Sequence, residues 1–134
     1  MATIFSKIVA GEIPCHKVAE NDAFFAFLDI SPIAEGHTLV IPKQEADYLF
    51  DLDDATLGSM MVFTRKVARA LEASIPCKRI GLTVIGLEVP HVHIHLVPIR
   101  KESDMFFGNP RLKQTPEELA AIATKIHGKF VELP

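Results

Sequence analysis

Apolar residues recur along this chain at two different periods, and each period marks a different kind of element. Between Asp54 and Ala73, the residues Leu57, Met60, Met61, Thr64, Val67, Ala68 and Leu71 follow one another at spacings of three and four. That spacing gathers them on one side of a helix. Asp53 or Asp54 can cap its start, and Pro76 breaks the chain after it. Thr115-Pro116-Glu117-Glu118 sets a capping hydroxyl three residues before a carboxylate, with proline at the first helical position. It predicts a last helix over about 116–130. Shorter apolar runs bounded by turn residues predict strands at Lys17–Glu20 and Ala23–Leu28, joined by a tight Asn21-Asp22 turn. Further strands are expected at His37–Ile41, ended by Pro42, at Arg79–Ile85 and at His91–Pro98. Ile4, Phe5 and Ile8 suggest a short helical turn stopped near Gly11 and Pro14. The order of strands, helix, strands, helix points to an α+β fold: a mostly antiparallel five-stranded sheet with two main helices. No repeat or Gly/Ser linker divides residues 1–134, so a single domain is expected.

Composition narrows the partners. Of 134 residues, 49% are apolar and 23% charged, the profile of a soluble globular domain with a real core. The net charge is −3 with no basic stripe, which argues against a nucleic acid as the main ligand. A single nucleotide stays possible, because a few donors can hold one phosphate. Residues 1–7 hold no basic segment followed by an apolar run, so no export signal is expected. The apolar stretches fall far short of a membrane span. Cys15 and Cys77 stand alone without a CxxC pair. Free thiols in a cytoplasmic protein are the expectation, and the pattern leaves a disulfide between them open.

The chemistry concentrates in His91-Val92-His93-Ile94-His95-Leu96-Val97. Alternate residues of a strand share a face, so the three imidazoles should line one side while Val92, Ile94 and Leu96 enter a core on the other. Three imidazoles bring six ring nitrogens that all need partners, a cost that packing alone does not repay. Two chemistries compete on these residues. His-x-His can supply two ligands to zinc, with Glu88 nearby and Asp29 a further carboxylate, although no HExxH or Cys/His cluster accompanies it. Alternatively the middle imidazole attacks as a nucleophile while its neighbours orient it and hold charge.

The seven residues from His91 to Val97 match the His-φ-His-φ-His-φ-φ signature of the histidine triad (HIT) family. Residues 4–14, Ile4 to Pro14, resemble that family's opening segment. Phe25 to Pro32 resemble its nucleoside-binding strand and turn, and Gly36 to Lys43 its second histidine-bearing strand. The likeness spans about residues 3–100 and is strongest to the Hint branch or its bacterial relatives. The resemblance implies a HIT-like fold, a homodimer, and metal-free hydrolysis or transfer at the α-phosphate of a purine nucleotide of the adenosine type. It implies His93 as the nucleophile of a nucleotidyl-histidine intermediate, His95 on the phosphate, and His91 with His37 as a hydrogen-bonded relay. It implies Asp29 on the ribose hydroxyls, and Ile4, Phe5, Ile8, Phe27, Ile30 and Leu39 as apolar walls around the base. Backbone N–H groups near Gly86, Glu88 and Val89 are expected beside the phosphate.

The chain departs from the family pattern at three places. Some bacterial relatives hold zinc through a Cys-x-x-Cys pair in the opening segment; here those places are Thr3 and Ser6, so no metal and no cofactor is expected. The segment Gly81–Pro90 carries none of the asparagine that many relatives direct at the phosphate. Glu88 stands where Hint relatives often have a hydroxyl, and a carboxylate there repels phosphate or meets a basic leaving group. The leading expectation is a hydrolase of phosphoramidates or aminoacyl adenylates. The alternatives are a dinucleoside polyphosphate hydrolase, a nucleotide-binding module with little catalysis, and a zinc-dependent hydrolase.

Overall fold

The computed structural model describes residues 2–134; Met1, the first residue of the segment read for an export signal, lies outside the described residues. The elements run α1 (Ile4–Val9), β1 (Lys17–Glu20), β2 (Phe24–Leu28), β3 (Thr38–Pro42), α2 (Asp54–Ser74), β4 (Arg79–Thr83), β5 (Ile94–Ile99) and α3 (Pro116–Glu132). Short 3₁₀ turns at Leu49–Asp51 and Glu102–Met105 lie between them. The five strands form one sheet in the order β1-β2-β3-β5-β4, every pair antiparallel. This is the α+β architecture expected from the pattern, with two main helices and a short third.

Local chemistry sets the boundaries. The Asn21 side chain accepts from the N–H groups of Ala23 and Phe24, closing the turn between β1 and β2. Asp53 caps α2 by accepting from Thr56 N–H at 2.7 Å. Thr115 and Glu118 form the reciprocal pair predicted for the start of α3, with Pro116 in its first turn. Both cysteines are free thiols. No helix among the described residues is long and apolar enough to cross a membrane.

The two faces of the sheet are covered differently. Phe24, Ala26, Leu28, Val40, Ile94 and Leu96 point to one face and pack with α2 and α3 through Met60, Phe63, Val67, Leu71, Leu119, Ile122 and Ile126. On the opposite face a smaller cluster joins Phe25, Phe27, Leu39 and Ile41 to Phe5 of α1. The helical face of α2 is rotated from the expected one. Met61 is exposed, whereas Phe63 is buried between Phe24 and Phe130, with ring centroids 5.8 Å from each. The buried set Met60, Phe63, Thr64, Val67, Ala70, Leu71 and Ser74 keeps the same three-four spacing in a different phase.

Two strand boundaries are shorter than expected. β4 ends at Thr83, and β5 begins only at Ile94. His91 and His93 therefore precede the strand. Val92 N–H donates to the Ala46 carbonyl at 2.7 Å and His91 N–H to the Val89 carbonyl at 2.8 Å, so bonds to loop carbonyls replace the ladder there. Beyond them β3 and β5 pair as Thr38 with Leu96, Leu39 with His95 and Val40 with Ile94. Gly36 turns the chain into β3 with φ +88°; a Cβ there would lie 2.9 Å from Ile75 Cγ1, so glycine alone sets His37 against the core.

Candidate active site

A cavity of about 640 Å³ opens on the sheet face away from α2 and α3. This is within the usual range for small-molecule sites. Phe27 and Leu39 of the sheet form part of its wall, with Ile4, Phe5 and Ile8 of α1 and Ile30 of the loop after β2. Asp29, His93 and His95 reach it, and so do Gly86, Glu88 and Val89 from the segment before the triad. Twelve of the fourteen residues expected at the site thus share one cavity. The other two, His37 and His91, are fully buried behind it.

The hydrogen bonds assign the tautomer of each ring. A backbone N–H can only donate, so Ile33 N–H, at 3.2 Å, makes His37 Nδ1 an acceptor. His37 then carries its proton on Nε2 and donates to His95 Nδ1 at 3.0 Å. That leaves the His95 proton on Nε2, the nitrogen without a partner among the described residues. A carbonyl can only accept, so His93 Nδ1–H donates to the His91 carbonyl at 2.7 Å, and in the neutral ring Nε2 keeps a bare lone pair. His91 Nε2–H donates to the Pro42 carbonyl at 2.8 Å; in the neutral ring Nδ1 accepts from the Thr3 hydroxyl at 2.6 Å. One free nitrogen is a base or nucleophile and the other a donor. Phe5 packs edge-on against His91 and His93, and Phe107 against His95, with centroids 5.7, 5.0 and 4.7 Å apart.

The expected relay between His37 and His91 is not formed, because His37 bonds to His95 instead. Antiparallel pairing explains the exchange. The start of β3 lies beside the later part of β5, so His37 meets His95, while His91 lies near the end of β3 and meets Pro42. Burial, reinforced by the Arg111 charge, pushes His37 down to about 4. Burial likewise takes His95 to about 4, with the neighbouring His37, His93 and Arg111 adding to it and Asp29 opposing. Both rings are therefore neutral at pH 7, and the 3.8 Å approach of Asp29 Oδ2 to His37 Nε2 is not an ion pair there. Asp29 is held in place by Ser31 N–H, which donates to Oδ1 at 2.8 Å.

The sequence reading missed Arg111. It reaches the cavity from the irregular segment before α3, where no periodicity or motif marks it. In the sequence, Thr3 and Ser6 stand out only as places without cysteine. Thr3 caps α1 in a reciprocal pair with Ser6, a pattern visible locally, but its bond to His91 spans 88 positions.

Neither possible donor set suits a metal. Thr3 and Ser6 offer neutral hydroxyls rather than thiolates, and the Thr3 hydroxyl is already given to His91. Asp29, His37 and His95 have ligand atoms within 4.8 Å of one another. However, His37 Nε2 bears the ring proton as long as Nδ1 accepts from Ile33, so a cation there would break that buried bond.

Comparison with known proteins agrees with the triad. Over 132 residues the chain is 36% identical to the adenosine 5'-monophosphoramidase hnt1 of Schizosaccharomyces pombe, covering 97% of this chain and 99% of that relative. The crystal structure of a Hit-like protein involved in cell-cycle regulation from Bartonella henselae, solved with an unknown ligand, superposes with a TM-score of 0.81 at 32% identity, covering 95% of each chain. A zinc-bound histidine triad family protein from Mycobacterium smegmatis superposes with a TM-score of 0.80 at 27% identity, covering 98% of this chain and 95% of that one. The HIT domain family model matches residues 10–102, which include His37 and the whole triad. The chain belongs to the HIT domain family.

Proposed function

We propose that this protein is a metal-independent hydrolase of adenosine 5'-phosphoramidates or aminoacyl adenylates, acting through a nucleotidyl intermediate on His93. The observation that carries the reading is the bond from His93 Nδ1–H to the His91 carbonyl, which in the neutral ring places the Nε2 lone pair at a nucleotide-sized cavity. The name of the Schizosaccharomyces pombe relative supports the substrate class. The base lies among Phe27, Leu39, Ile8 and Ile30, and the unfilled acceptor sites of Asp29 take the ribose hydroxyls. His95 Nε2–H donates to a phosphate oxygen.

His93 Nε2 then attacks phosphorus. The Nε2–P bond forms as the bond from phosphorus to the leaving group breaks. A departing amine takes one proton from solvent in the cavity, while neutral His95 keeps Nε2–H on the phosphate oxygen. Water then attacks phosphorus and returns one proton to solvent as the Nε2–P bond breaks, which regenerates His93. Incubation with adenosine 5'-phosphoramidate in the presence of a chelator tests this. Turnover by the parent and none by His93→Ala is the expected result; equal rates, or no turnover by either, overturn it.

A second reading, a nucleotide-binding module with little catalysis, draws on Glu88, a carboxylate in the cavity of an enzyme that must hold an anion. Tight AMP binding with negligible turnover of phosphoramidate and dinucleoside polyphosphate alike would favour it. We also infer a cytoplasmic homodimer whose ligand is a mononucleotide rather than a nucleic acid. Leu82, Ile85 and Leu87 are exposed on and beyond the edge strand β4, in accord with an interface there. Sedimentation at micromolar concentration tests it, and a purely monomeric species overturns it.

A further inference from the structure

Two carboxylates, Asp29 and Glu88, line the cavity, and both disfavour an anionic ligand. His95 Nε2–H is a single neutral donor. Arg111 is the one lysine or arginine among the lining residues. Its guanidinium is held in place rather than trailing in solvent. One Nη1–H donates to the Ser31 carbonyl at 2.8 Å and an Nη2–H to the Phe107 carbonyl at 3.4 Å. The following residue pins the chain, with Leu112 N–H donating to the Pro32 carbonyl at 2.8 Å. The bonds to Ser31 and Pro32 join the segment before α3 to the loop that carries Asp29. Two of five guanidinium N–H groups are used, leaving three. Arg111 enters none of the ion pairs among the described residues, so no carboxylate occupies its guanidinium.

We propose that Arg111 is the phosphate-binding cation of this site, offsetting Asp29 and Glu88. The inference rests on the reading that the cavity accepts a nucleoside 5'-phosphate. Guanidinium suits the task because its planar fork can grip two phosphate oxygens at once. Its position between the Ser31 and Phe107 carbonyls also ties the phosphate grip to Phe107, whose ring packs on His95. Its field reaches the histidines, where it adds to burial in keeping His37 and His95 neutral.

Calorimetric titration with AMP and with adenosine separates the phosphate grip from the rest of the pocket. In Arg111→Gln, AMP affinity is expected to fall about tenfold, the lower end for a charge-assisted bond at an exposed side chain, while adenosine affinity stays within about twofold. Arg111→Lys, which keeps the charge but not the fork, is expected to fall between. Unchanged AMP affinity in Arg111→Gln overturns the assignment while leaving the nucleotide reading intact. Equal losses for AMP and adenosine overturn it too, because they mark a structural role. A parent protein that binds neither ligand removes the nucleotide reading and this assignment with it.

Discussion

Val92, Ile94 and Leu96 are each 1% exposed on the helix side of the sheet; His91, His93 and His95, which alternate with them, are 0%, 7% and 9% exposed on the other. Burial hardly separates the two sets, but their partners do. The aliphatic three meet Met60, Val67, Leu71 and Ile126 in a core of side chains alone. The histidines meet polar groups and a cavity. With His37 they form four rings with eight nitrogens, of which six are hydrogen-bonded and two, His93 Nε2 and His95 Nε2, are not. One stretch of chain thus builds stability on one face and chemistry on the other. The faces should fail differently when altered.

The largest separation is expected at His93. His93→Ala should lower phosphoramidate turnover by a factor on the order of 10⁴ or more, the usual scale for losing a nucleophile. The helix-side core is untouched, so the urea midpoint should move little. A variant that unfolds readily, or that keeps more than about a tenth of the parent rate, breaks the division between the faces. Leu96→Ala tests the opposite side. It should cost about 2–5 kcal/mol in chemical denaturation through lost burial and a cavity, while turnover per folded molecule stays near the parent value. A collapse of the rate in the fully folded variant would mean that the helix side tunes the site.

Acid should weaken the histidine side alone through a defined window. A free imidazole takes its proton near 6.5, whereas His37 and His95 do so only at about 4 in the fold. Between those values the unfolded chain binds more protons, so stability is fully present above pH 6.5 and falls as pH drops towards 4. At about 1.4 kcal/mol per pKa unit the loss is roughly 3 kcal/mol for each ring. Urea titrations between pH 7 and pH 4 check it, and His37→Asn should flatten the slope. A flat parent profile would mean that the rings gain protons in the fold as easily as outside it.

How much of this was legible in the sequence follows from the range of each interaction. Alternation in residues 91–97 and the cap at Thr115 depend on near neighbours, and both faces of the triad and the start of α3 came out as read. The phase of α2 did not, because Met61 and Phe63 are both apolar and only tertiary packing chose Phe63. His37 was identified, but its partner was not. That partner depends on the register of β3 against β5, and reversing the strand direction exchanges His91 for His95. Arg111 was invisible because an irregular segment carries it to the cavity through two backbone carbonyls, and carbonyls leave no mark on composition.

The smallest predicted effect tests how far the histidine side depends on a residue outside the triad. Thr3 holds His91 from one side while the Pro42 carbonyl holds it from the other, and the His91 carbonyl in turn holds His93 Nδ1. Thr3→Val keeps the shape but removes the hydroxyl, leaving His91 Nδ1 buried without a donor. The expected cost is about 1–2 kcal/mol of stability and roughly a tenfold fall in kcat, with KM little changed. Thr3 also caps α1 by accepting from Ser6 N–H at 3.0 Å, so a loss of stability alone says nothing about position. Ser6→Ala separates the two roles, because it removes the Ser6 hydroxyl from the cap while the Thr3–His91 bond can persist. Nitrogen chemical shifts of the His91 ring give the direct readout. They should change in Thr3→Val, stay near the parent values in Ser6→Ala, and return in Thr3→Ser along with kcat. If Ser6→Ala slows turnover as much as Thr3→Val while the His91 ring is unmoved, Thr3 acts only by capping α1, and the histidine side is positioned by the strand and its carbonyls alone.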